Sequence, residues 1–139
     1  GFLSLVFCRA GHCSSLLKWI HLRALKAEIM IKTELWKVIS SIEDLDKAVE
    51  ESHERTVVIF KHSTRCSISK GVLSKFEEQI EESNADAAYY FLSLLRYRDI
   101  SNEIAERFGV VHQSPQIIIL KDGKAVADAS HRKIDISLL

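Results

Sequence analysis

A chain of 139 residues is long enough for one domain with a real hydrophobic core and too short for two of ordinary size. With 47% apolar and 27% charged residues, and no Pro-rich, Gly-rich or repetitive stretch, the composition is that of a folded domain and excludes a disordered chain. The formal net charge of +0 gives no electrostatic reason to expect nucleic acid or an acidic membrane as partner.

Residues 1–29 carry Arg9, Lys18, Arg23 and Lys26 against Glu28 alone, which leaves the rest of the chain mildly acidic. The apolar run Gly1 to Phe7 has no basic residues ahead of it and no evident small-residue cleavage pattern. His12, Lys18, His21, Arg23 and Lys26 interrupt it well short of the ~20 apolar residues that span a bilayer, so no membrane segment is expected. Leu16, Leu17, Ile20, Ala24 and Ala27 approximate a helical stripe, but too short a one to favour a membrane-surface helix. Met30 is the sole methionine. A start there would make residues 1–29 an N-terminal extension of upstream translated or non-native sequence, and residues 30–139 the domain.

Leu35 to Ser40 reads as a first strand. Ser41 followed by Asp44 is a capping signal, and Ile42, Leu45 and Val49 form the buried stripe of a helix ending near Ser52. Thr56 to Lys61 is a β-branched run of the kind buried on both faces of a parallel sheet. After the loop His62-Ser63-Thr64-Arg65, a helix starts at Cys66, with Ile68, Val72, Phe76 and Ile80 as its expected inner face; Glu77, Glu78, Glu81 and Glu82 read as its solvated face. Ala88 to Leu95 is a third strand, and Asp99 is the expected cap of a helix with the face Ile100, Ile104 and Phe108, closed by Gly109 and Val110. Pro115, the only proline, precedes the strand Gln116 to Leu120; Asp122-Gly123 then turns the chain into Ala125 to Ala127. His131 to Leu139 is all that remains for a last helix, and it is weakly patterned. The order is β-α-β-α-β-α-β-β.

Three cysteines, Cys8, Cys13 and Cys66, are too few to staple a secreted domain, so a reducing compartment is expected. Cys66 stands where a polar loop meets a helix start. Unpaired N–H groups and the positive end of the helix dipole stabilise a thiolate there, and the thiolate is the nucleophile. Lys61, His62 and Arg65 are expected to add positive potential. A buried inert cysteine is the alternative, and the polar setting argues against it. Cys66-Ser67-Ile68-Ser69 has Cys-x-x-Cys spacing with serine in second place. Ser69 can donate a hydrogen bond to the thiolate but cannot form a disulfide with it. From Met30 onward there is no other cysteine, so an external thiol must complete the cycle unless Cys8 or Cys13 reaches in. No pair among His62, His112 and Cys66 has local metal-ligand spacing, and no metal site is expected.

This order of elements resembles an α/β thioredoxin-like fold, a central mixed four- to five-stranded sheet flanked by helices. The resemblance implies that Pro115 lies opposite Cys66 with a cis Ser114–Pro115 bond. Phe60-Lys61-His62-Ser63-Thr64-Arg65-Cys66-Ser67-Ile68-Ser69 is similar to the active-site stretch of the monothiol, YtxJ-like bacilliredoxins of the bacillithiol redox system. Arg98 to Ala105, Phe108 to Val110 and His112 to Gln116 match that family too, and the likeness covers about Leu35 to His131. It implies cytoplasmic location and removal of bacillithiol, as co-substrate, from protein mixed disulfides, with no tightly bound cofactor. Cys66 would be the attacking thiol, and Thr64, Arg65, Ser69, Ser114 and Pro115 would line its site. The partners implied are bacillithiolated proteins and a low-molecular-weight thiol. A glutaredoxin-like iron–sulfur role is not expected, because the glycine and phenylalanine of the Cys-Gly-Phe-Ser signature are missing. The competing class is a non-catalytic thioredoxin-like module that binds a peptide or thiol at the Ser114–Pro115 edge.

Overall fold

The computed structural model describes Lys32 and residues 34–139. The expectations for residues 1–29, including Cys8 and Cys13, and for Met30 lie outside them. Glu34–Leu139 forms a compact unit of its own.

Five strands make one mixed sheet in the order β1-β3-β2-β4-β5. They are β1 (Lys37–Val38), β2 (Thr56–His62), β3 (Ala87–Ser93), β4 (Gln116–Lys121) and β5 (Lys124–Ser130). Strands β1 and β2 flank β3 in parallel, whereas β4 is antiparallel to both β2 and β5. Three helices complete the domain: α1 (Ile42–Glu51), α2 (Ser67–Glu82) and α3 (Arg98–Phe108). The C-terminal stretch forms two 3-10 turns, His131–Lys133 and Ile136–Leu138, in place of a last helix.

Alternation along β2 divides the core in two. Val57 and Ile59 join Leu45 and Ala48 of α1, Ile100 and Ile104 of α3, and Ile118 and Leu120 of β4. The even-numbered side chains face α2. There Phe60 lies parallel to its register partner Phe91, with ring centroids 6.4 Å apart, and contacts Phe76 at 5.9 Å; Trp36 meets both Phe60 and Phe91 edge-on at 5.7 Å. Such aromatic pairs each add about 0.5–1.5 kcal/mol beyond their burial.

The local signals largely hold, with informative departures. Ser41 caps α1 by accepting from Asp44 N–H, while Asp44 accepts from the backbone and hydroxyl of Ser40. Gly109 is left-handed (φ 64°), and Val110 N–H donates to Ala105 O across the end of α3. Asp122 (φ 51°) and Gly123 (φ 77°) both take positive φ, as a type I′ turn requires. Asp99, however, is not a cap; Tyr97 holds that position without a side-chain bond. The inner face of α2 is Ser69, Leu73, Phe76, Glu77 and Ile80, and Ile68 is exposed. Strict spacings of four drift off a 3.6-residue period, so the register set by Phe76 rotates Ile68 outward. Ile42 is likewise exposed, and Ala48 takes its place on the buried side of α1. Glu77 is buried rather than solvated, because its carboxylate accepts from Trp36 Nε1 at 2.8 Å. Gly71 sits in mid-helix, where glycine costs about 1 kcal/mol relative to alanine.

Candidate active site

Strand β2 ends at His62, and the chain must turn at once to enter α2. Leu94 N–H donates to His62 O at 2.8 Å, tying the strand end to the segment after β3, and Cys66 N–H donates to Ser63 O at 3.2 Å, closing the Ser63–Cys66 turn. Cys66 is therefore the N-cap of α2, in extended backbone, half-buried and without a side-chain cap bond. Thr64 beside it is half-buried and Arg65 is exposed.

The opposite wall comes from β4. Gln116 pairs with Lys61, so one step further along the register Pro115 comes level with His62 and Ser114 with Ser63. The Ser114–Pro115 bond is cis. Register alone thus brings Ser114, Pro115, Thr64, Arg65 and Cys66 to one end of the sheet. Ser114 Oγ is buried there without a hydrogen-bond partner.

Ser69 is fully buried in the first turn of α2, and its hydroxyl is engaged by a residue to which sequence reasoning gave another part. Ser69 Oγ lies 2.6 Å from His62 Nδ1, and Ser63 N–H donates to the same oxygen at 3.4 Å. His62 Nε2 is buried without a partner. Burying a bare lone pair costs less than burying an N–H, which selects the tautomer protonated at Nδ1. In that tautomer Nδ1–H and Ser63 N–H occupy both acceptor sites of Ser69, and its proton is left to donate elsewhere. Burial, with Lys70 adding to the effect, pushes the imidazole down to about 4. His62 is therefore neutral near pH 7 and supplies no positive potential, contrary to the sequence expectation.

Lys61 does not face the thiol either. Its side chain, fully buried, crosses to the other face of the sheet, where Nζ donates to Ser101 O at 3.2 Å; Ser101 Oγ is 3.5 Å from His112 Nδ1. His62 and His112 thus stand on opposite faces and share no site. Burial lowers the Lys61 ammonium to about 8, and Arg98 adds to this. Among the described residues no carboxylate pairs with it. A charge buried in this way is a net cost at neutral pH, so Lys61→Met should stabilise the protein by about 1–2 kcal/mol at pH 7. Because the wild-type lysine discharges between pH 8 and 10.5, the advantage should shrink across that window. Urea unfolding of both proteins at pH 7 and pH 10 measures it. A Met variant that is less stable by the same amount at both values would refute the assignment.

A five-stranded sheet, a cysteine capping the helix after its second strand and a cis proline on the adjoining strand define a thioredoxin-fold thiol oxidoreductase. Solved structures agree. A solved structure described as having a thioredoxin fold is 30% identical, with a TM-score of 0.67 over 76% of this chain and 90% of that one. A thioredoxin of Malassezia sympodialis (21% identity, TM-score 0.60, 75% of this chain and 83% of that one) and one of Fasciola hepatica (23%, 0.54, 68% and 86%) share the fold. Residues 37–139 match the family described as monothiol bacilliredoxin BrxC. The chain belongs to the monothiol bacilliredoxin family.

Proposed function

We propose that Cys66 removes bacillithiol, or a similar small thiol, from protein mixed disulfides. The observation that carries this reading is Cys66, the only cysteine among the described residues, at a helix N-cap beside a cis proline, with serine in the place of a resolving cysteine. The Cys66 thiolate attacks the carrier's sulfur, the carrier–protein S–S bond breaks, and the protein leaves as a thiolate that takes a proton from solvent. Cys66 is then disulfide-linked to the carrier. A second carrier thiol attacks that bond, giving the carrier disulfide and free Cys66. Ser69, held by His62 and Ser63, donates its remaining proton to the Cys66 sulfur while that sulfur is charged. Thr64, Arg65, Ser114 and Pro115 border the incoming disulfide. A reducing compartment such as the cytoplasm supplies the thiol. Incubation with a bacillithiolated protein should yield reduced substrate and a one-carrier adduct on Cys66, both visible by mass. Intact substrate beside unmodified Cys66 would instead describe a module that binds without turnover.

Ser69→Cys should change the end state. Residues three apart in the first helical turn lie within the Cα separation that a disulfide spans. The introduced thiol should expel the carrier and close an intramolecular disulfide with Cys66, so the adduct fails to accumulate. An S69C protein that still traps one carrier per chain would show that the two side chains do not converge.

A further inference from the structure

His62 and Ser69 are fully buried between the end of β2 and the first turn of α2, with Ser69 Oγ 2.6 Å from His62 Nδ1. His62 Nε2 is buried without a partner among the described residues. The rest of the ring's surroundings are aromatic: Phe60 lies 6.4 Å and Phe91 5.6 Å away, centroid to centroid. A phenylalanine would fill this place without burying a bare nitrogen, so a histidine here is a cost in need of a use.

Two uses are closed to it. Burial holds the imidazole near 4, so it carries no charge at pH 7. Nor does it take the thiol's proton, since Nδ1 already bears one in the favoured tautomer and Nε2 meets no donor. What remains is its hold on Ser69.

A helical serine tends to turn its hydroxyl back to a carbonyl three or four residues earlier. Here Ser69 Oγ is held instead by His62 Nδ1–H and, at 3.4 Å, by Ser63 N–H. Both acceptor sites are filled and the hydroxyl proton is left over. Cys66 is the N-cap of α2 and Ser69 the third residue of the helix, the two positions whose side chains reach toward each other in a capping box. The leftover proton therefore has the Cys66 sulfur as its partner when that sulfur is charged.

We propose that His62 is a positioning residue for the second half of the reaction, fixing Ser69 so that Cys66 leaves as a hydrogen-bonded thiolate when the carrier departs. This rests on the exchange reading above and adds to it a residue and a step. The incoming thiolate forms an S–S bond to the carrier sulfur, the carrier–Cys66 bond breaks, and its electron pair goes to Cys66. Ser69 donates a hydrogen bond to the developing charge and keeps its proton. Because Cys66 is uncharged in the mixed disulfide, that bond strengthens as the S–S bond breaks, which lowers the barrier. The first half gains little, since a stabilised thiolate is more abundant but less nucleophilic.

The test loads Cys66 of the full chain from the disulfide of 2-mercaptoethanol, then times release by fresh 2-mercaptoethanol from the mass of the chain. His62→Phe and Ser69→Ala should each slow release about tenfold, with loading much less affected. The two changes together should be no slower than either alone, because both act through one hydrogen bond. His62→Asn puts an amide N–H where Nδ1–H stood and should release at close to the wild-type rate. Its smaller side chain leaves a void, so its Tm should nonetheless fall below that of His62→Phe. A packing role alone predicts the opposite order of rates. The ring ¹⁵N resonances of the wild type should place the proton on Nδ1. Release from His62→Phe at the wild-type rate, His62→Asn as slow as His62→Phe, or a proton on Nε2 overturns the proposal. Should His62→Phe not fold, Ser69→Ala and the ring resonances decide it in the same way. If release follows the expected order but a bacillithiolated protein stays intact, the exchange reading fails and the positioning role stands. A Cys66 that accepts no adduct rejects both.

Discussion

Replacing Cys66 by serine should abolish release of carrier from a mixed disulfide, a loss of at least about a thousandfold, while leaving the protein slightly more stable. A serine hydroxyl is not ionised near neutral pH and cannot enter an S–S bond, so no intermediate forms. The gain in stability follows from position. Cys66 is the N-cap of α2 and makes no cap bond, whereas serine is among the best capping residues and is worth about 1 kcal/mol there. Lower activity with an equal or higher Tm excludes misfolding as the cause. The assay is thiol release from a bacillithiolated protein, alongside thermal unfolding of both chains. Activity retained in C66S would move the attacking thiol to Cys8 or Cys13.

Lowering the pH from 6.5 to 4 should cost the protein up to about 3 kcal/mol through His62 alone. The imidazole titrates near 6.5 when unfolded and near 4 when buried. Within that window the unfolded chain binds the extra proton and the folded one does not, so stability is complete above 6.5 and falls as the pH descends. Other groups act elsewhere or equally. Glu51 is pushed up by burial but more strongly down, to about 2, by hydrogen bonds from Tyr90, Lys37 and Arg55, so its contribution is lost between 4.5 and 2. His112, which burial also lowers, is the same in a His62→Phe protein. A phenylalanine suits the aromatic surroundings, since the His62 ring already lies 5.6 Å from that of Phe91. The variant should lose some stability at pH 7, where Ser69 misses a partner, but most of the slope between pH 6.5 and 4.5 should vanish. Urea unfolding at several pH values decides it; parallel curves for the two proteins would show that His62 is not the buried neutral group.

The thiol's place between a strand and a helix, the Ser41 cap, the left-handed Gly109, the Asp122-Gly123 turn and the element order were all legible in the chain itself. Each rests on backbone conformation or short-range periodicity, which neighbouring residues decide. The resemblance in Phe60 to Ser69 likewise pointed to the family that residues 37–139 match. What the chain could not disclose was which way a side chain points once strands pair. Lys61 and His62 are adjacent and both basic, yet the pleat sends one toward Ser101 and the other toward Ser69 and Phe91, and burial then leaves His62 uncharged. Glu77 belonged by its neighbours to an exposed acidic run, and only the arrival of Trp36, 41 positions earlier, gave it a buried partner. The three consecutive basic residues His131, Arg132 and Lys133 were visible, but not their setting beside Gly71. The groove that Arg132 borders with Ile68 and Gly71 exists because His131 N–H bonds to Pro115 O and Ile136 N–H to Gln79 Oε1, which brings distant segments together against α2. Long-range pairing sets such neighbours, and no local spacing encodes it.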